Sequence, residues 1–207
     1  MDATRATLTA GNEFADAVDI SPDGTTIAVS SPSAAWFSRA GTAQVFRLSG
    51  SAWAQVGNTL QGEEISDVSG TGLSLSANGS RIAVSAPRDG EGSAGSAGKV
   101  RVFDLVGGAW TPVGGAVIGG TVGSGDALGE SLILSPDGTR FAASGPSVAK
   151  VYALVSGAWV QVGSNITNTD GLVSNITGLA LAAEGHTVAL GFINGNPKRV
   201  RAYSITP

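Results

Sequence analysis

The sequence predicts an all-β protein, and three observations support this fold class. Short runs of alternating apolar and polar residues fill most of the 207 positions, and this period of two is typical of β-strands. Gly, Pro, Asp and Asn bound these runs, as expected for turns between strands. The same four sequence elements recur about every 50 residues, which indicates a repeat architecture.

The first element is a tight turn that joins the first two strands, A and B, of each unit. Its sequence is Ser-Pro-Asp-Gly at residues 21–24 and 135–138. Proline presets φ, the Asp side chain bonds its own backbone, and Gly adopts a positive φ, so the segment reverses the chain. The corresponding turns of the second and fourth units are residues 76–79 and 182–185.

Two alternating runs follow each turn, and they form the motifs of strands B and C. The strand B motif occupies residues 26–30, 81–85, 140–144 and 187–191. The strand C motif occupies residues 43–48, 99–104, 149–154 and 199–204.

A tryptophan element opens the fourth strand, D, of the first three units. It has the pattern Ala-Trp-x-x-Val-Gly and contains Trp53, Trp110 and Trp159. Because these residues repeat in register, we expect them to pack between units rather than to contact a ligand. In the second unit the four predicted strands are residues 72–76, 81–86, 99–105 and 109–118.

Four-stranded units at this period predict a four-bladed β-propeller, and a solenoid is the alternative. The blades are predicted at residues 15–62, 70–119, 130–168 and 177–207, within one domain of residues 1–207. The fourth unit stops where its strand D should begin, and residues 3–9 form a spare alternating run. We therefore expect the N-terminal strand 3–9 to complete the last blade, which removes an unpaired edge. A part of a larger ring is the other interpretation.

The repeats resemble the FG-GAP family, whose members form the propellers of integrin alpha-subunit-like proteins. Residues 126–146 are similar to the stretch between the Phe-Gly and Gly-Ala-Pro motifs of the family, with Leu128 in place of the Phe. Residues 85–87 and 95–103 are similar to its Gly-Ala-Pro, loop and Gly-x-Val-x-Val-Tyr. The resemblance implies adhesion or recognition and an extracellular or cell-surface location. Family members often have seven blades, so four would be unusual.

The composition excludes several classes of site. The chain has no Cys and one His, which excludes disulfides, thiolate zinc sites, multi-His metal sites and a Cys nucleophile. Calcium-binding members of the FG-GAP family carry several acids in one loop, but residues 88–92 hold two acids and one Arg, so no metal or other cofactor is expected. A net charge of −4 argues against nucleic-acid binding, and no apolar run is long enough for membrane insertion.

The strand order predicts which face of the propeller is functional. The B–C loops and the D–A connections emerge on one face, which we call the loop face, and the loops on this face differ between units. The predicted partner-binding residues of this face are Trp36, Phe37, Arg39, Arg88, Asp89 and Lys198. Trp36 and Phe37 have no counterpart in the other units, and Trp and Arg are typical of binding hot spots. Burial of both rings at a blade junction is the alternative for these two residues.

Acidic residues in the D–A connections have two interpretations. Asp67 and Asp126 could contribute oxygen ligands around the channel mouth, or their side chains could cap the backbone of their own turns. Glu63 with Glu64, and Asp126 with Glu130, are the nearest carboxylate pairs for glycoside chemistry.

These observations predict a non-enzymatic recognition or scaffold module that binds a protein or glycan partner through the loop face. The alternative is a carbohydrate-binding propeller, a lectin with an aromatic site at Trp36 and Phe37. A glycoside-active enzyme is a third interpretation, and it requires two carboxyl groups in one pocket.

Overall fold

The computed structural model describes residues 16–32, 40–90, 96–120, 125–167, 176–193 and 198–205. Within these ranges the chain forms seventeen strands and no helix. Among the same residues, no helix has the length and apolar character needed to cross a membrane.

The described strands form four antiparallel sheets, which we number as blades 1 to 4. Blade 1 contains β1 (Val18–Ile20), β2 (Thr26–Ser31), β3 (Thr42–Ser49), β4 (Ala52–Gln55) and β5 (Leu60–Gln61). Blade 2 contains β6 (Leu73–Leu75), β7 (Arg81–Ala86), β8 (Lys99–Val106), β9 (Ala109–Pro112) and β10 (Val117–Ile118). Blade 3 contains β11 (Ser131–Leu134), β12 (Arg140–Ser144), β13 (Val148–Val155) and β14 (Ala158–Thr167). Blade 4 contains β15 (Ile176–Leu181), β16 (Thr187–Phe192) and β17 (Arg199–Ser204).

Consecutive blades pack face to face, which confirms the predicted four-bladed β-propeller. Strands β1 and β2 contact β6, β6 and β7 contact β11, and β11 and β12 contact β15. Residues 3–9 lie outside the described ranges, so the completion of blade 4 by the N-terminal strand stays a prediction.

Strand D differs from the prediction in blade 2. Instead of one strand over residues 109–118, β9 and β10 both pair with β8 and are separated by residues 113–116. Gly114 and Gly115 in this gap have φ of +75° and +74°. A positive φ alone does not end the strand, since Gly163 has a φ of +73° within the continuous β14.

The Ser-Pro-Asp-Gly turns form as expected. The Asp23 carboxylate accepts hydrogen bonds from Ser21 Oγ at 2.6 Å and from the backbone N–H of Thr25 at 3.0 Å. These bonds lower the pKa of Asp23, with the Ser21 hydroxyl as the largest cause. Gly24 has a φ of +71°, as the turn requires.

Each of the first two blade junctions packs aromatic and other large side chains of one blade against mostly Ala and Val side chains of the preceding blade. At the first junction, Ile82, Phe103 and Trp110 of blade 2 share a buried cluster with Ala28, Ala43, Val45 and Leu60 of blade 1. At the second junction, Phe141, Tyr152 and Trp159 of blade 3 share a buried cluster with Ala83, Val100, Val102 and Val117 of blade 2. The core of the protein is therefore a series of equivalent interfaces.

The tryptophan element links neighbouring blades. Trp110 Nε1 of blade 2 donates to the Val56 carbonyl of blade 1 at 2.9 Å, and Trp159 Nε1 of blade 3 donates to the Val113 carbonyl of blade 2 at 2.9 Å. Both indoles are buried, which confirms that these two tryptophans serve packing. We call each Val carbonyl with the following Gly a Trp-acceptor site.

The Gly of the tryptophan element is required by this packing. A Cβ on Gly57 would lie 2.6 Å from Trp110 Cδ1, and a Cβ on Gly114 would lie 2.5 Å from Trp159 Cδ1. The repeated Ala-Trp-x-x-Val-Gly pattern therefore provides an indole for the preceding blade and a Trp-acceptor site for the next.

Candidate functional site

The loop face holds a pocket with a volume of about 590 Å³. This volume lies within the usual range for sites that bind small molecules, roughly 300 to 1,000 Å³. The pocket is lined by Asp16, Pro32, Ser66, Val68, Thr71, Pro87, Arg88, Ser96, Gly125, Ala127 and Glu130. Each lining residue belongs to a B–C loop or to a segment that leads into a strand A, in blades 1 to 3.

The B–C side of the pocket begins where the B strands end. Pro32 directly follows β2, and Pro87 with Arg88 directly follows β7. Proline has no N–H to donate to a neighbouring strand, so it ends the pairing and directs the chain into the loop. The Arg88 backbone N–H donates to the Asp67 carbonyl at 3.3 Å, which ties this loop to the neighbouring D–A connection.

The D–A side of the pocket is held by short-range hydrogen bonds. Thr71 Oγ1 donates to the Val68 carbonyl at 2.8 Å, within the connection between β5 and β6. The Ala127 backbone N–H donates to the Ser96 carbonyl at 3.0 Å, which joins the next connection to the B–C loop of blade 2. These bonds fix the lining residues relative to one another.

The pocket wall contains strained backbone. Ser66, Val68 and Ala127 have φ of +81°, +57° and +44°, in the left-handed region. Among the described non-glycine residues, the only other positive φ is that of Ser156, in the turn between β13 and β14. Such conformations cost on the order of 1–3 kcal/mol each and concentrate at functional sites. The strain is greatest for Val68, since its branched Cβ crowds the backbone.

Among the described residues, three charged side chains line the pocket: Asp16, Arg88 and Glu130. Asp16 is positioned by its backbone N–H, which donates to the Ser30 carbonyl at 3.2 Å. Partial burial raises the pKa of Glu130, because desolvation disfavours its charged form. The described part of the lining thus combines one cation with two carboxyl groups, and the pKa of one of these, Glu130, is raised.

Asp67 lies behind the pocket wall and caps its own turn. Its carboxylate accepts a hydrogen bond from the Glu64 backbone N–H at 2.8 Å, and the residue is buried. Burial raises the pKa of Asp67, and nearby Asp89 adds to this effect. This arrangement supports the capping interpretation over a ring of oxygen ligands.

Asp126 has a charged partner instead. Lys150 Nζ lies 3.2 Å from Asp126 Oδ2 and also donates to the Gly119 carbonyl. Within the described ranges, no group of three or more His, Asp or Glu side chains is placed to hold a metal ion.

The structure separates the predicted site residues. Arg88 lines the pocket, whereas the adjacent Asp89 forms an ion pair with Lys99 at 2.7 Å. Lys198 is exposed immediately before β17 and does not line the pocket. Trp36, Phe37 and Arg39 lie outside the described residues, so their role stays a prediction.

Sequence reasoning did not single out most of the pocket residues. The sequence interpretation includes Glu130 only as a neighbour of Asp126, and it does not include Asp16. A usable signal was present, because both acids occur within two residues of a strand A. No sequence signal points to Val68, since valine disfavours a positive φ.

Comparison with known proteins shows the fold and no family. No family model and no curated protein matches the sequence. Among solved structures, the chain is similar to the Pseudomonas aeruginosa periplasmic gluconolactonase, with 19% identity and a TM-score of 0.58 over 100% of this chain and 61% of that chain. It is also similar to the β-propeller domain of Cps50 (Swd1) from Myceliophteria thermophila, with 16% identity and a TM-score of 0.56 over 98% of this chain and 58% of that chain.

A third similar structure is a Bacteroides uniformis protein described as a candidate 6-phosphogluconolactonase. It shares 18% identity and a TM-score of 0.52 over 90% of this chain and 57% of that chain. The chain therefore spans less than two thirds of the length of these structures. They confirm the propeller part of the sequence interpretation, while membership of the FG-GAP family stays a prediction.

These structures correct one expectation. The sequence predicted a non-enzymatic module, but two proteins that share the fold carry the names of lactonases, which are enzymes. The exclusion of enzymatic activity is overturned. The propeller is a scaffold that supports binding and catalytic proteins alike.

Proposed function

We propose that the loop-face pocket binds a small polyhydroxylated ligand with an anionic or carbonyl group, of the sugar-acid or sugar-lactone class. The observation that carries this proposal is a pocket of about 590 Å³ whose wall includes three residues in strained conformations. Strain of this kind persists only where the surrounding structure maintains it, and it is typical of pre-organised sites.

The lining chemistry supports a ligand of this class. Ser66 and Ser96 provide groups that can donate to and accept from ligand hydroxyls, and Thr71 Oγ1, which donates to the Val68 carbonyl, can still accept. The Arg88 guanidinium matches a carboxylate or phosphate, with which it can form two parallel hydrogen bonds. Pro87 and Val68 offer apolar surface for the C–H face of a sugar.

Hydrolysis of a sugar lactone is the second candidate function, and the placement of Arg88 and Glu130 in one pocket, with the pKa of Glu130 raised by desolvation, favours it. The Glu130 carboxylate would take a proton from water while the water oxygen adds to the lactone carbonyl carbon. Arg88 would stabilise the negative oxygen that forms. The ring C–O bond then breaks, the leaving oxygen takes the proton from Glu130, and the product is the open hydroxy acid. The names of two similar structures support this substrate class.

The pocket favours a small ligand over the protein partner that the sequence suggested. A flat protein interface does not require an enclosed volume, whereas small-molecule sites are concave. A sugar-type ligand is also consistent with the carbohydrate-binding alternative, although its proposed aromatic site lies outside the described residues. An extracellular or periplasmic location is part of this proposal, supported by the name of one similar structure.

Calorimetric titration with gluconate and 6-phosphogluconate tests ligand binding, and release of acid from gluconolactone tests hydrolysis. Arg88→Ala should weaken anion binding by about tenfold or more, as expected for loss of a charge-assisted pair. Lys198→Ala is the matched control, since it removes a cation outside the pocket. Glu130→Gln should abolish lactone hydrolysis and leave anion binding in place. No heat with either ligand, or equal binding by the Arg88→Ala variant, would contradict the proposal.

A further inference from the structure

Lys99 joins two segments of the pocket wall from behind. It is the first residue of β8 and is not among the described residues that line the pocket. Its Nζ lies 2.7 Å from Asp89 Oδ2, in the B–C loop of blade 2, and 2.7 Å from Glu63 Oε2, in the connection between β5 and β6. One ammonium group therefore holds both segments.

The loop segment that carries Asp89 also places Arg88. The Asp89 backbone N–H donates to the Ala86 carbonyl at 3.1 Å, so residues 86–89 form a tight turn with Pro87 and Arg88 at its centre. The Asp89 carbonyl in turn accepts from the Gly98 N–H at 2.8 Å. Asp89 is thus fixed by its backbone and by its side chain, and it sets the direction of the turn from which Arg88 enters the pocket.

The ion pair between Lys99 and Asp89 is shielded from water. The side chains of Lys99 and Asp89 are 17% and 15% exposed, whereas that of Glu63 is 49% exposed. Water and salt screen a largely buried pair less than an exposed one. The contact with Asp89 is therefore the stronger of the two contacts that Lys99 makes.

The connection between β5 and β6 has a further tie to β8. Arg101 Nη2 donates to the Gln61 carbonyl at 2.6 Å. Replacing Lys99 therefore leaves this connection attached to the strand. The turn that contains Arg88 is the segment that Lys99 controls most directly.

The position of Lys99 carries no charge in blades 1 and 3. Its counterparts there are Thr42 and Val148, each one residue before the buried strand C position that faces the serine of strand B. Strand C of a blade therefore forms without a cation at this point. The lysine occurs in the blade whose B–C loop brings Arg88 to the pocket, which indicates a role in that loop.

We propose that Lys99 is a positioning residue for Arg88: by binding Asp89 and Glu63 together, it fixes the turn from which the Arg88 guanidinium reaches the anionic group of the ligand. This inference rests on the proposed function, in which Arg88 binds the anion. A turn that is held in place before the ligand arrives reduces the ordering cost of binding.

Two cations at opposite ends of one hairpin provide a matched test. Lys99 lies opposite Ala86 at one end of β7 and β8, and Arg81 lies opposite Asp104 at the other end. Both cations are 17% exposed, and each is paired with a carboxylate. Calorimetry should show that Lys99→Met weakens binding of gluconate or 6-phosphogluconate by about three- to tenfold, and that Arg81→Met leaves it unchanged. Equal losses of affinity in the two variants would overturn the inference.

A double variant shows whether Lys99 acts through Arg88. Arg88→Ala combined with Lys99→Met should bind the ligand no more weakly than Arg88→Ala alone, because the second change then has nothing left to misplace. Losses that multiply would show that Lys99 acts on the ligand by another route, and would overturn the inference.

Asp89→Ala separates positioning from direct attraction between charges. This variant removes a negative charge close to the pocket, which by charge alone would strengthen binding of an anion. If Lys99 positions Arg88 through Asp89, the variant should instead weaken binding. Stronger binding would overturn the inference.

Hydrogen exchange distinguishes failure of this inference from failure of the proposed function. The amides of Arg88 and Asp89 should exchange faster in Lys99→Met and at the original rate in Arg81→Met. If this difference appears but the unaltered protein binds neither ligand, the proposed function fails and the positioning of the turn stands. If exchange is unchanged in Lys99→Met, the inference is overturned whether or not a ligand binds.

Discussion

The indole Nε1 of Trp110 donates a hydrogen bond to the Val56 carbonyl across 2.9 Å, from one blade to the preceding one. This contact joins two segments that are distant in the chain; the Trp110 side chain is buried, and the Val56 carbonyl that it reaches is partly buried. It predicts a graded response to substitution. Trp110→Phe keeps most of the packing but leaves the partly buried Val56 carbonyl without its donor, at a cost of about 1 kcal/mol. Trp110→Ala also creates a cavity and should cost about 3–5 kcal/mol.

Urea unfolding followed by circular dichroism measures both losses. Trp53→Ala is the control, because Trp53 is only partly buried in blade 1 and should contribute less. Equal losses for the Trp53 and Trp110 variants would show that the contact with blade 1 has no special role.

The close approach of Trp159 to Gly114 predicts a difference between two adjacent glycines. Gly114→Ala and Gly115→Ala share the cost of a positive φ, about 1 kcal/mol. Only Gly114→Ala adds a Cβ that would lie 2.5 Å from the Trp159 ring. Its free energy of unfolding should therefore fall further than that of Gly115→Ala, as measured in urea. Identical losses would mean that the indole moves away without cost.

The buried carboxyl of Asp67 predicts a change in the pH dependence of stability. Burial raises the pKa of Asp67 above its ordinary value of 3.8, so the folded state binds this proton more strongly than the unfolded state does. The stabilisation that the protonated Asp67 carboxyl provides is fully present below its pKa in the unfolded state. It is lost as the pH rises through its pKa in the folded state.

Asp67→Asn removes this titration and keeps an oxygen that can accept from the Glu64 N–H. The variant should gain thermal stability relative to the original protein as pH rises from about 3 to 7. Melting temperatures across this range check the prediction. Parallel pH profiles for the two proteins would contradict it.

The ion pair with Lys99 predicts a structural role for Asp89. Lys99 Nζ lies 2.7 Å from a carboxylate oxygen of Asp89 and 2.7 Å from one of Glu63. Burial alone would lower the pKa of Lys99, but hydrogen bonds to these two carboxylates raise it overall. Lys99→Met should destabilise the protein by about 1–3 kcal/mol, because it leaves the largely buried Asp89 carboxylate without its cation.

Lys198→Met, which removes an exposed cation, should change the free energy of unfolding by less than about 0.5 kcal/mol. Thermal and urea denaturation of both variants provide the comparison. If Lys99→Met is as stable as the control, Asp89 is free to act as the partner-binding residue that the sequence suggested.

The φ of Val68 predicts a trade-off between stability and binding. Val68→Gly relieves a left-handed conformation that valine disfavours and should raise the free energy of unfolding by up to about 1 kcal/mol. The same change removes apolar surface from the pocket wall and should weaken binding of the proposed ligand. Val106→Gly, in the regular strand β8, should instead destabilise the protein. Loss of stability in Val68→Gly would argue against strain at this position.

The repeat architecture could be predicted because its signals are local. A Ser-Pro-Asp-Gly turn, an alternating strand and a tryptophan element each depend on a few adjacent residues. The break in strand D of blade 2 could have been inferred from Gly114 and Gly115, but a strand can also tolerate glycine. Which outcome occurs depends on packing against the next blade.

The candidate site could be predicted only at the level of the loop face. Its pocket combines residues from three blades, and their relative placement depends on the backbone of the D–A connections. Arg88 and Asp89 illustrate the limit: they are adjacent in the chain, yet one lines the pocket and the other pairs with Lys99. Their residue types alone do not distinguish these roles.

The one-directional contact between a tryptophan and the preceding blade has a consequence for how such a chain can change in length. Each of the three described junctions joins unlike surfaces, so neighbouring blades stack in only one direction. Duplicating or deleting one whole period would therefore bring a bulky face against a matching small one at the new junction. The number of repeat units can therefore change while the kind of contact at each junction between blades stays the same.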